Sequence, residues 1–139
     1  MNNVSEVRFI RVNYLCDFGT RGSPARYVAV SSREQLVNYT QSYTNALGLE
    51  SGYGDRFRLI MIKYDDVFFK DRALILLLLS ENSGSISHTV DVSRDTDGLH
   101  IAVTRNVPQG LLTMDMASWL AVIEIDLAYA QDPIFLETI

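Results

Sequence analysis

Apolar residues along the chain fall into alternating, continuous and helically spaced stretches, and each pattern predicts a different element. Val7, Phe9, Val12 and Tyr14 among Arg8, Arg11 and Asn13 predict a half-buried strand over 7–15, with an irregularity near Ile10. A polar turn at Gly19, Gly22, Ser23 and Pro24 leads to a short strand over 26–30, rich in β-formers Tyr27, Val28 and Val30. Ala73 to Leu79 is a run of seven apolar residues without alternation, which predicts a strand buried on both faces at the centre of its sheet. Ile86, His88, Val90 and Val92 then alternate with polar residues, and so do Leu99, Ile101 and Val103. With Asp95-Thr96-Asp97-Gly98 as the loop, the two form a hairpin in which Val92 faces Ile101, Val90 faces Val103 and His88 faces Arg105. Trp119, Ala121, Ile123, Ile125 and Leu127, alternating with Glu124 and Asp126, predict a last strand with one wet face.

Helical signals lie between the first strands and the apolar run. Glu34 stands three residues after Ser31, the spacing of a capping box that satisfies backbone donors of a first helical turn. Leu36, Tyr39 or Thr40, Tyr43 and Leu47 then repeat as one buried stripe, while Arg33, Gln35, Asn38, Gln41 and Asn45 face out. Gly48 is placed to end the helix in a left-handed conformation. Gly48, Gly52 and Gly54 lack the Gly-Lys-Ser or Gly-Lys-Thr of a phosphate loop and follow a helix instead of feeding one, so they read as a flexible connector. Phe57 to Ile62 reads as a strand, with a helix as the alternative. Tyr64 to Asp71 reads as a compact helical turn capped by Asp65 and anchored by Phe68 and Phe69. Pro108 and Gly110 open a covering loop or single helical turn over 111–118, and 131–139 is a tail whose Ile134, Phe135 and Leu136 need a surface or a partner. The expected fold is α+β: a mainly antiparallel β-sheet, sandwich or open barrel, with one principal α-helix over 31–47 packed on it, in a single domain over 1–139.

Composition narrows the function classes. A chain of 139 residues, 47% hydrophobic, builds its core without disulfides or a structural metal. Twelve basic against 17 acidic residues leave a net charge of −5, the wrong sign for nucleic acid as a partner. The longest apolar run is far short of the ~20 residues of a membrane-spanning helix, so no membrane insertion is expected. Polar residues at the amino terminus replace the apolar run of a signal peptide, and Cys16 is the single cysteine, which together predict a cytoplasmic protein, or an exported one whose leader has been removed.

Candidate chemistry is sparse. Asp65 and Asp66 are adjacent, and neighbours on a helix point about 100° apart, so they read as a cap and a solvated charge. Any triad must use His88 or His100, the two histidines of the chain. His88 falls on the apolar face of its strand and reads as a structural histidine; His100 points outward beside the Asp97-Gly98 turn. Opposite faces of one hairpin make poor zinc partners, and no metal or cofactor is expected. Asp17 beside Cys16 disfavours the thiolate, so Cys16 reads as inert.

Tyr64 to Asp71, the apolar strand after it, Ser83-Gly84-Ser85 and Thr113 to Trp119 together resemble uncharacterised small domains of Gram-positive bacteria. More distantly they are similar to the carboxy-terminal domain of PrcB-like protease-complex accessory subunits, over roughly Leu59 to Leu127. The resemblance implies a β-rich domain that binds another protein and names no catalytic residue. Two functional expectations follow. One is a non-catalytic protein-interaction or accessory module, with a protein partner or a homo-oligomer contacted around Tyr53, Phe57 and Phe135. The other is a small enzyme or ligand-binding protein with a site near His88, Arg105, Asp115 and Trp119, marked by a deep pocket with His88 bonded to a carboxylate.

Overall fold

The computed structural model describes residues 6–15, 18 and 21–139. Cys16, Asp17 and Gly19 lie outside the described residues, and so do the readings that rested on them.

The apolar run becomes β3 (Arg72–Glu81), with β1 (Glu6–Val12) and β2 (Tyr27–Val30) earlier in the chain and β6 (Ala117–Asp126) later. These four form a sheet ordered β1-β6-β3-β2, antiparallel throughout. The hairpin is β4 (Ser87–Arg94) and β5 (Leu99–Asn106), with Val92 opposite Ile101, Val90 opposite Val103 and His88 opposite Arg105, the register expected from the sequence. A second sheet ordered β4-β5-β7 forms when β7 (Ile134–Thr138) lies parallel to β5. The expected carboxy-terminal tail is therefore in part an edge strand, with Ile134 and Leu136 packed against the core between the sheets.

Side-chain parity divides the core in two. Leu74, Leu76 and Leu78 of β3, Leu120 and Val122 of β6 and Ile10 and Val12 of β1 meet the helices. Ala73, Ile75, Leu77 and Leu79 of β3, with Ala121, Ile123 and Ile125 of β6, meet Val92, Leu99, Ile101 and Val103 of the second sheet. The result is an α+β sandwich, open at its ends, with helices on the outer face of its larger sheet. Two expectations change. Ile10 marks no irregularity, because β1 pairs with β6 without interruption and buries Ile10 and Val12 on one face while Val7 and Phe9 pack on the other. The last strand has no wet face, because β6 lies between β1 and β3 with both faces covered.

The helical layer has three segments in place of one: α1 (Arg33–Ser42), α2 (Thr44–Leu47) and α3 (Tyr53–Met61). The capping box sits one residue later than its spacing suggested: the Gln35 amide donates to Ser32 Oγ at 3.1 Å, and Gln35 Oε1 accepts from the Ser31 amide at 2.8 Å. Helix α1 stops at Tyr43, where the Thr44 hydroxyl takes the Thr40 carbonyl at 2.6 Å in place of a backbone amide. Gly48, at φ 72°, closes α2. Phe57 to Ile62 takes its helical alternative, with Phe57 and Met61 one turn apart on the buried face of α3. Phe57 is thus core, not an exposed contact. Asp65 caps the turn before β3, its Oδ1 accepting from the Phe68 amide at 3.0 Å.

Gly54 begins the connector's conversion into helix. A Cβ added there would fall on the backbone carbonyl of Leu49, which cannot yield as a side chain would, whereas one at Gly52 would meet nothing within 4 Å. Urea unfolding is expected to show Gly54→Ala destabilised by about 1–3 kcal/mol through overpacking. The matched Gly52→Ala is expected to be neutral or slightly stabilising.

Candidate functional site at the open end of the sandwich

At one end the apolar layers give way to charge. Arg11 of β1, Trp119 of β6, Glu81 of β3, His88 of β4 and Arg105 of β5 continue the inward-facing positions of their strands by one step. Glu81 carries the arrangement, because its carboxylate comes from the larger sheet and is met by both strands of the hairpin. Arg105 grips it with two parallel bonds, Nε to Oε2 at 2.8 Å and Nη2 to Oε1 at 2.7 Å, while His88 Nε2 lies 2.7 Å from Oε2. The Glu81 and His88 side chains are only 7% and 4% exposed. Burial works against the charged Glu81, but the bonds from Arg105 and His88 outweigh it and hold the carboxyl below its ordinary range. The His88 ring stands edge-on to Trp119 at 5.5 Å, and the Arg11 guanidinium lies 5.3 Å from the Trp119 ring centre on the solvent side.

Two small cavities flank His88. One of about 140 Å³ is bounded by Arg26, Ser80, Arg105 and Thr138; one of about 250 Å³ lies between Phe9, Ile86 and Trp119. Glu81 is committed to Arg105, and among the described residues no hydroxyl or thiol stands at hydrogen-bond distance from His88. The group is chemically an ion-pair clamp between the two sheets. No cluster of three or more His, Cys, Asp or Glu able to hold a metal ion occurs among the described residues. Among the same residues, no helix is long and apolar enough to cross a membrane.

Above this layer runs the β5–β6 connection, residues 107–116. It does not cover the sheet as expected: every residue from Val107 to Met116 is exposed. Leu111 is fully exposed, Met114 96% and Met116 60%. Polar residues of the same loop tie it down. Thr113 Oγ1 lies 2.9 Å from Ser83 Oγ and 3.0 Å from Ser85 Oγ, and the Thr113 amide donates to Ser85 Oγ at 3.3 Å. Asp115 Oδ1 accepts from the Gly84 amide at 3.2 Å, and Arg11 stands 3.8 Å from Oδ2. Thr113, the Gly84 amide and Arg11 all favour the charged form of Asp115 and lower its titration.

The four residues singled out in the sequence thus gather at one end of the fold: His88, Arg105 and Trp119 in the clamp and Asp115 in the loop brace. Glu81 and Arg11 were missed. Parity points to Glu81, which shares its face with Leu77 and Leu79, although it is charged. His100, expected to be solvated, lies 2.9 Å from Asp95 and stacks on Phe135 at 5.1 Å, so half-exposed Phe135 is partly occupied within the chain. Tyr53 remains exposed on α3. No family model, curated protein or solved structure matches the chain.

Because Glu81 titrates lower folded than unfolded, its charged interactions stabilise the protein above the unfolded carboxyl value of 4.5 and lose that effect as pH falls through the lowered folded value. Urea midpoints between pH 7 and pH 3 are expected to show Glu81→Gln less stable than wild type at neutral pH. The difference is expected to shrink below about pH 4.5, as protonation removes the same charge from wild type.

Proposed function

We propose that this chain is a non-catalytic protein-interaction module that engages a partner through the loop over 107–116. The observation that carries this reading is the combination of apolar tip and polar brace. Leu111, Met114 and Met116 are presented to solvent while Thr113 and Asp115 between them are bonded to Ser83, Gly84 and Ser85. A loop held at fixed points presents apolar side chains at little ordering cost, and each Leu or Met fully buried by a partner contributes about 1.5–3 kcal/mol. Methionine adapts to irregular apolar clefts, which suits such a contact. The partner is accordingly a protein with an apolar cleft, a second copy of the chain being the homo-oligomeric version of the same reading. The similarity of Ser83-Gly84-Ser85 and Thr113 to Trp119 to the accessory-subunit domain supports it, since those segments form the brace. A bacterial, cytoplasmic setting belongs to this proposal and rests on that similarity and on the single cysteine.

A second reading, a small enzyme or ligand-binding protein with a site at His88 and Arg105, is favoured by the two cavities beside His88 and by its bond to the Glu81 carboxylate. It is secondary because the charges lining them already satisfy one another through Glu81.

The test uses tagged wild type and a Leu111→Asp/Met114→Asp variant. Both sites are exposed, so unfolding midpoints are expected to agree within about 0.5 kcal/mol. Stoichiometric capture of a discrete partner from source-organism lysate, or self-association by light scattering, is expected for wild type and to weaken at least tenfold in the variant. Equal behaviour of the two would sink the proposal.

A further inference from the structure

A different surface, on the far side of the helical layer, carries a more specific assignment. Helices α1 and α3 run antiparallel, because Arg33 at the start of α1 donates from Nη1 to the carbonyls of Met61 and Tyr64, both at 2.9 Å, where α3 ends. Between them runs an open groove of about 310 Å³. Leu36, Phe57 and Met61 form its floor, and Val37 and Ile62 its walls. Ile62 is 69% exposed and Leu59, one turn back, 72%. These are apolar side chains on a helix surface left uncovered among the described residues.

The charges along this groove have one sign. Among the described residues Arg33 and Arg58 line it, and no carboxylate does. Arg33 makes no ion pair among the described residues; its bonds go to carbonyls at the end of α3, whose partial charge balances only part of the guanidinium's. Arg58 donates to the Leu49 carbonyl at 2.8 Å, and its one acidic neighbour, Asp55 at 3.8 Å, is almost fully exposed and screened by solvent. A cationic apolar groove in a chain of net charge −5 selects against most of the molecule's own surface and for the opposite charge.

We propose that the groove between α1 and α3 binds an acidic amphipathic helix of a partner protein, placing its apolar stripe on Leu36, Val37, Met61 and Ile62 and its flanking Asp or Glu side chains beside Arg33 and Arg58. Two antiparallel helices form a trough that a third fills at an interaxial distance of about 8–10 Å. The ten residues of α1 extend about 15 Å at the usual rise, so two to three turns of partner span it. The anchors of such a helix recur at i, i+3, i+4 and i+7. This surface is separate from the loop over 107–116, and neither proposal requires the other.

The experiment titrates the full chain with a fluorescein-labelled, amide-capped helical peptide bearing Leu and Ile at those anchor positions and Glu on both flanks. A twin peptide carries Lys for every Glu. Anisotropy is expected to show saturable binding of the Glu peptide, at least tenfold weaker binding of the Lys peptide, and weakening by added salt. Amide chemical shifts are expected to move along α1 and α3. Ile62→Glu, at an exposed position, and Val37→Glu are each expected to weaken the Glu peptide at least tenfold. Leu111→Asp/Met114→Asp is expected to leave it unchanged, which separates failure of the groove from failure of the loop. Absence of saturable binding, equal affinity for the two peptides, or shifts confined to the 107–116 loop would each overturn the proposal.

Discussion

The antiparallel pairing of β3 with β6 is the constraint on which the other elements depend. From Arg72 opposite Asp126 to Glu81 opposite Ala117, the pair places apolar side chains on both faces. A strand pair of that composition is stable in water only when each face has a cover. The helices cover one face and the β4-β5-β7 sheet the other. β1 flanks the pair along Ser118–Glu124 and β2 along Leu74–Leu77, so the backbone of these stretches is paired on both sides.

The charged residues of this pair stand towards its ends: Arg72 and Asp126 bond to each other at 2.9 Å, while Glu81 and Glu124 are held by neighbours that also tie layers together. Glu81 points between the sheets and is held by His88 and Arg105. Glu124 points towards the helices, where the Tyr64 hydroxyl donates to its Oε2 at 3.0 Å and Lys63 Nζ does the same at 3.0 Å. Burial and the nearby Glu124 charge both push the Tyr64 hydroxyl's titration upward, so it remains a donor. Buried pairs of this kind add little net stability relative to apolar substitutes, because desolvation offsets attraction, yet losing one partner is costly. Their contribution here is to alignment: a slip of one residue in β3 would turn Glu81 towards the helices and away from Arg105.

Much of this was legible in the sequence, for identifiable reasons. The hairpin register followed from strict alternation and an Asp-Gly turn, both local. The uninterrupted Ala73 to Leu79 run could only be a doubly covered strand. Misreadings arose where tertiary cover decided. Glu124 and Asp126 made β6 look half wet, although the Glu124 charge is absorbed by Tyr64 and Lys63, far away in sequence. Phe57 to Met61 has the composition of a strand, and packing of Phe57 and Met61 on the sheet makes it a helix. The parallel pairing of β7 with β5 leaves no local trace. At the candidate site, His88 and Arg105 were legible as hairpin partners, while Glu81, which joins them, required knowing that the two sheets face each other.

The loop over 107–116 sets exposed apolar side chains directly beside a cluster of paired charges at one end of the domain. Here Glu81 is bonded to Arg105 and His88, and Asp115 to the Gly84 amide with Arg11 beside it. The brace bonds polar atoms of the loop inward to Ser83, Gly84 and Ser85, and the loop so held keeps Leu111 and Met114, on either side of Thr113, in solvent. Exposure of those side chains is therefore a consequence of the polar bonds beneath them. The free energy of such a surface falls chiefly when its carbon is covered.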